Sequence, residues 1–114
     1  MATTAQVLDS HEAALLAQDA AKVSLHYAPD AVLIVNGQTF RGPDQIAAMY
    51  AALIRELPDA AWRTDVAVIH DDLAYVEWAC DAATSRVEFG TDTFVVADGR
   101  IIRQTASFRI MVGG

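Results

Sequence analysis

Two rhythms divide the chain. In the first half, apolar residues return every three or four positions; from Ala61 onward they alternate with polar ones. Residues 3–18 place Val7, Leu8, Ala14 and Leu15 on one helical stripe, with His11 inside it. Gln18 breaks the stripe, and Asp19 is expected to cap a short helix from Ala20 to about Tyr27. Ala28-Pro29-Asp30 ends that helix, because proline drives the residue before it out of the helical region. Ala31–Val35 and Gln38–Arg41 read as two short strands around an Asn36-Gly37 turn. Gly42-Pro43 then opens a helix from Asp44 to about Leu57, with Ile46, Met49, Tyr50, Leu53 and Leu57 facing inward, and Pro58 closes it.

The second half predicts four long strands: Trp62–Ile69, Leu73–Ala82, Arg86–Val96 and Arg100–Met111. His70-Asp71-Asp72 and Asp98-Gly99 are the turns; Asp-Gly between β-branched runs is a strong hairpin signal, since both residues tolerate positive φ. Helices first and strands after predict an α+β fold, with the helices on one face of a curved antiparallel sheet.

Composition narrows the function classes. The chain has 114 residues, 54% apolar and 20% charged, which suits one domain with a real core. A net charge of −7 argues against nucleic acid or an anionic membrane as partner. No stretch of about 18 apolar residues is present, so no membrane span is expected. The N-terminus lacks a basic region and an apolar signal core, so the expectation is a cytoplasmic protein. The single cysteine, Cys80, excludes an internal disulfide and reads as a small buried hydrophobe.

One residue is out of place for a plain core. Asp92 interrupts a strand on the face that carries Phe94 and Val96. It is either an exposed acid at the sheet's edge or a pocket acid. Gln104 shares a face with Ala106 and Phe108 and is expected in the same pocket. On the strand before, Tyr75, Glu77 and Ala79 alternate with Ala74, Val76, Trp78 and Cys80. Met49 and Tyr50 on the long helix either line that pocket or are plain core. His26 is read as a helix-end residue and His70-Asp71-Asp72 as a solvated turn; no metal site and no cofactor is expected.

Four local words carry a family resemblance: Ala13-Ala-Leu-Leu-Ala-Gln-Asp19, Tyr27-Ala-Pro-Asp-Ala31, Phe40-Arg-Gly-Pro43, and Thr91-Asp-Thr-Phe-Val-Val-Ala-Asp-Gly-Arg-Ile-Ile-Arg-Gln104. In this order and spacing they resemble the SnoaL-like branch of the nuclear transport factor two superfamily, which includes the ketosteroid isomerases. The resemblance implies a cystatin-like α+β cone, in which a strongly bent antiparallel sheet wraps three N-terminal helices around a deep pocket. It also implies a homodimer through the outer sheet face, expected to show Val76, Trp78, Cys80, Thr93, Val95, Thr105 and Ser107.

The isomerases hold a developing enolate oxygen with a helix-one tyrosine and a neutral aspartic acid, and move the proton with a second aspartate. By resemblance the neutral acid falls on Asp92, the tyrosine on His11 and the proton carrier near Val35, where no carboxylate stands. With Trp78 turned to the dimer, Glu77 would face the pocket as a replacement acid. Related epoxide hydrolases join two acids through an arginine, whose position falls near Tyr75.

Asp92, Glu77 and His11 are therefore the expected catalytic set, with Tyr50, Met49, Tyr75, Gln104, Phe108, Val35 and Phe94 as ligand contacts. The sequence supports a cofactor-independent enzyme working on a small apolar molecule by acid–base chemistry, isomerase- or hydrolase-like, with lyase-type chemistry left open. It also admits a non-catalytic binder of an apolar ligand. A third reading makes the dimer itself the function, and expects an interior with no cavity of about 300 Å³ or more.

Overall fold

A computed structural model describes residues 1–113. Helix α1, Thr4–Leu16, starts at a reciprocal cap in which the Thr3 hydroxyl accepts from the Gln6 backbone N–H and the Gln6 amide accepts from Thr3. It buries Val7, His11 and Ala14, spaced four and three apart. Helix α2, Ala20–Ser24, is capped by Asp19 and ends sooner than the sequence pattern predicts. The chain has already become extended at Tyr27, and strand β1 runs over Tyr27–Val35. An Asn36-Gly37 turn, both residues at positive φ, returns it as β2, Gln38–Arg41. Helix α3, Gly42–Glu56, then buries Ile46, Tyr50 and Leu53.

Four long strands follow: β3 Ala61–His70, β4 Leu73–Asp81, β5 Ser85–Ala97 and β6 Arg100–Phe108. A two-residue β7, Met111–Val112, pairs back onto β5. The strands lie in the order β2-β1-β6-β5-β4-β3. One pairing departs from the all-antiparallel expectation: β1 runs parallel to β6, because α3 and β3–β5 intervene before the chain returns to β1's side. Register shifts occur in β1–β6, β3–β4, β4–β5 and β5–β6. Each extra residue adds bend and twist, and together they curl the sheet around α1 and α3.

The pairing register sets what each sheet face carries, since directly paired residues share a face. One inward row crosses five strands as Ala67, Val76, Asp92, Ala106 and Val35. A second reads Ile69, Ala74, Phe94, Gln104 and Leu33, and a third Thr64, Trp78, Gly90 and Phe108. The outward rows between them read Val68, Tyr75, Thr93, Thr105, Ile34 and Val66, Glu77, Thr91, Ser107.

This corrects the expected faces of β4. Val76, Trp78 and Cys80 point inward, and Tyr75 and Glu77 point outward. The reason is cross-strand pairing: Val76 faces Asp92, so the two cannot lie on opposite sides. Gly90 makes Trp78's position possible, since a Cβ there would stand 2.4 Å from the indole. Trp78 packs in turn against Trp62 and Phe108, each with ring centroids 5.4 Å away.

Candidate functional site

The curled sheet does not close completely on the helices. A cavity of about 180 Å³ remains between α1, α3 and the inner face of β3–β6. An apolar cavity of roughly 150 Å³ accommodates benzene. The space therefore suits a single-ring molecule, and it lies below the roughly 300 Å³ at which ordinary ligand pockets begin. Leu8, Leu15, Val76, Trp78, Phe94 and Phe108 supply much of an apolar wall. Asp9 and Glu12 of α1 and Arg63 of β3 stand at its rim, with Arg63 held by Asp65 at 2.7 Å.

Of the residues expected at a site, His11, Val35, Met49, Tyr50, Asp92, Phe94, Gln104 and Phe108 all line this cavity. Glu77 and Tyr75 do not. They bond to each other on the outer face, with the Tyr75 hydroxyl donating to Glu77 at 2.7 Å. The expected pair of pocket acids is thus a single acid, and His11 has no bond to it.

His11 is instead one corner of a buried polar cluster. Its Nε2 lies 3.1 Å from the Tyr27 hydroxyl and 3.0 Å from that of Tyr50, and the two hydroxyls are 3.0 Å apart. Tyr27 donates to the Gln104 side-chain carbonyl. That bond fixes which way the amide faces: Gln104 Nε2 is left to donate to Tyr50 at 3.3 Å and to Asp92 at 3.5 Å. Four elements converge here, since α1 brings His11, β1 Tyr27, α3 Tyr50 and β6 Gln104. The sequence reading missed Tyr27, because it placed this residue at a helix end. A tyrosine opening a β-branched run was the available signal.

Burial sets the protonation states. Desolvation, helped by nearby His26, lowers the His11 pKa to about 3, so the imidazole is neutral at physiological pH. Tyr27 and Tyr50 are both pushed upward by desolvation and stay protonated. Asp92 moves the other way from a surface carboxylate: desolvation raises it to about 7, against the opposing pull of Gln104 and Trp78. Trp78 is a nearby donor rather than a formed bond, since its indole N–H is buried without a hydrogen-bond partner. Asp92 is half-buried, and it borders the cavity. It is thus a carboxyl poised near neutrality in an apolar wall, the condition in which one group can both give and take a proton.

Among the described residues, no group of three or more His, Cys, Asp or Glu side chains could hold a metal ion, and no helix is long and apolar enough to cross a membrane.

Solved structures share this architecture. A candidate polyketide cyclase from Sinorhizobium meliloti superposes with a TM-score of 0.77 at 24% identity, covering 88% of this chain and 92% of that one. A protein with a ketosteroid isomerase-like fold from Catenulispora acidiphila, solved in complex with trimethylamine, gives 0.75 at 14% identity over 89% of this chain and 83% of its own. A de novo designed protein with a curved β-sheet gives 0.80 at 17% identity over 93% and 84%. At these identities the likeness is one of fold, and fold does not by itself fix function. No curated protein matches the chain. The family model of the SnoaL-like domain matches residues 7–104, and the chain belongs to that family.

Proposed function

We propose that this protein is a cofactor-independent acid–base enzyme in which Asp92 carries a proton between two atoms of one small carbonyl compound. A single observation supports the reading: Asp92 borders the cavity with its pKa raised to about 7 by desolvation, on a wall whose other charged groups, Asp9, Glu12 and Arg63, stand at the rim. Hydrolysis by paired acids loses its basis with Glu77 on the outer face. One acid suffices where the proton that is taken is also returned, as in isomerisation or intramolecular ring closure.

In the forward step the Asp92 carboxylate removes a proton from a carbon next to the carbonyl. The C–H electron pair moves into the carbon framework and the carbonyl oxygen gains charge. Tyr50, on the cavity wall, is the candidate donor to that oxygen, and Gln104, whose two amide hydrogens go to Tyr50 and Asp92, holds both in position. With His11 protonated at Nε2 and donating to a tyrosine oxygen, the Tyr50 proton is free to turn toward the cavity. In isomerisation Asp92 returns the proton to a different carbon. In ring closure the carbon attacks a second carbonyl and the proton goes to the new alkoxide. The cyclase name of the Sinorhizobium meliloti relative agrees in class with this reading.

The test is hydrogen–deuterium exchange next to the carbonyl of cyclohexanone, a one-ring ketone, followed by NMR in heavy water. Wild type should accelerate exchange and Asp92→Asn should lose at least about 100-fold of that acceleration. Equal rates in both proteins would remove Asp92 from the chemistry.

A second reading, a binder without turnover, draws on Val35 standing where the isomerases carry a base, and on the small size of the cavity. Its signature is an apolar molecule recovered unchanged on extraction. In either case we propose that two copies pair through the outer face, where Val66, Val68 and Ile34 are exposed around Tyr75. Val68→Asp should then convert a dimer to monomer in sedimentation analysis.

A further inference from the structure

A second hollow lies against the first. It is an open trough of about 530 Å³ between α3, the β1–β2 hairpin and the C-terminal segment. Phe40, Ala48, Ala52 and Ile110 give it an apolar floor, while Gln38, Glu56 and Arg109 edge it. Val35, Met49, Leu53 and Phe108 line both hollows, so these four side chains are the partition between them.

They are not equally able to move. Val35 is β-branched and sits on a strand paired on both sides, to Gln38 and to Ala106. Leu53 is buried in the core. Phe108 packs on Trp78, and its backbone N–H donates to Asn36 at 2.9 Å. Met49 is half-buried, unbranched, and has three rotatable bonds. It lies on α3, so a change of its rotamer breaks no strand pairing.

We propose that Met49 is a gate and that the two hollows form one binding site for an elongated ligand, with a ring-sized head beside Asp92 and a flexible apolar tail in the trough. The polar edge at Gln38, Glu56 and Arg109 would meet the far end of the tail. This rests on the reading of the inner cavity as a small-molecule site, but not on any turnover there.

The test is calorimetric or NMR-detected binding of benzene and a series of alkylbenzenes, from ethyl to octyl, to the wild-type chain and to Met49→Ala and Met49→Trp. Affinity in wild type and Met49→Ala should keep rising past propyl, roughly threefold or more per added carbon at about 0.8 kcal/mol per buried methylene. In Met49→Trp it should stop rising at short chains while benzene still binds. If affinity falls beyond propyl in wild type and Met49→Ala alike, or if Met49→Trp changes nothing, the gate is overturned and the inner cavity stands alone. If benzene itself fails to bind the wild type, the small-molecule reading of the cavity fails with it.

Discussion

Asp92 and Glu77 are both carboxylates on adjacent, paired strands, yet they occupy different chemical worlds. Glu77 pairs with Thr91 on the outer face and hydrogen-bonds a tyrosine on its own strand. Asp92 is one residue further along its strand, pairs with Val76, and stands on the inner face with a pKa raised to about 7. A one-residue offset in register separates a surface acid from a candidate catalytic one. Proximity in sequence or across strands says nothing about which acid is activated; the face decides it.

The largest expected contrast is in activity. Glu77→Gln should leave the ketone exchange at the wild-type rate, while Asp92→Asn loses it; a Glu77→Gln variant as slow as Asp92→Asn would erase the distinction between the faces. The next contrast is in stability against pH. The folded state raises the Asp92 pKa from an ordinary 3.8 to about 7, so it binds more protons than the unfolded chain between those values. Its contribution is full below pH 4, falls as pH rises toward 7, and levels above that. Linkage bounds the loss at roughly 4 kcal/mol, less where cavity water softens the burial. Urea denaturation at pH 4 and pH 8 should therefore show Asp92→Asn gaining on wild type as pH rises. Parallel curves would mean that the carboxyl titrates as it does on a surface.

A smaller effect tests how the inner wall is built. Gly90→Ala puts a methyl into the Trp78 ring and should destabilise by about 1–3 kcal/mol, with a shift in tryptophan fluorescence. The smallest is the outer counterpart. Losing the Glu77 charge that accepts from Tyr75 should move the denaturation midpoint less than Gly90→Ala does in the same experiment.

How far the sequence could be read follows from the same geometry. The helical stripes of α1 and α3, the Asn36-Gly37 and Asp98-Gly99 turns and the four long strands were legible because each depends on local spacing. Asp92 was legible as an acid among Phe94 and Val96. The face of Glu77 was not, because alternation gives two faces without naming them. Only the register against β5 does, and a bulge shifts that register between Trp78 and Cys80. The parallel pairing of β1 with β6 was hidden for a related reason, since nothing local to either strand points to the other. The Tyr27–Gln104 bond that orients the cavity's amide depends on that pairing and was hidden with it.

That bond joins residues 77 positions apart, and the strands carrying them meet only after β6 has been made. A growing chain therefore has α1, α3 and most of the sheet available before the wall of the cavity has its last two polar groups in register. Contacts of such long separation form late and slowly in folding. A chain halted before Gln104 would lack the amide that faces the acid and also Ala106 and Phe108, which complete the cavity wall.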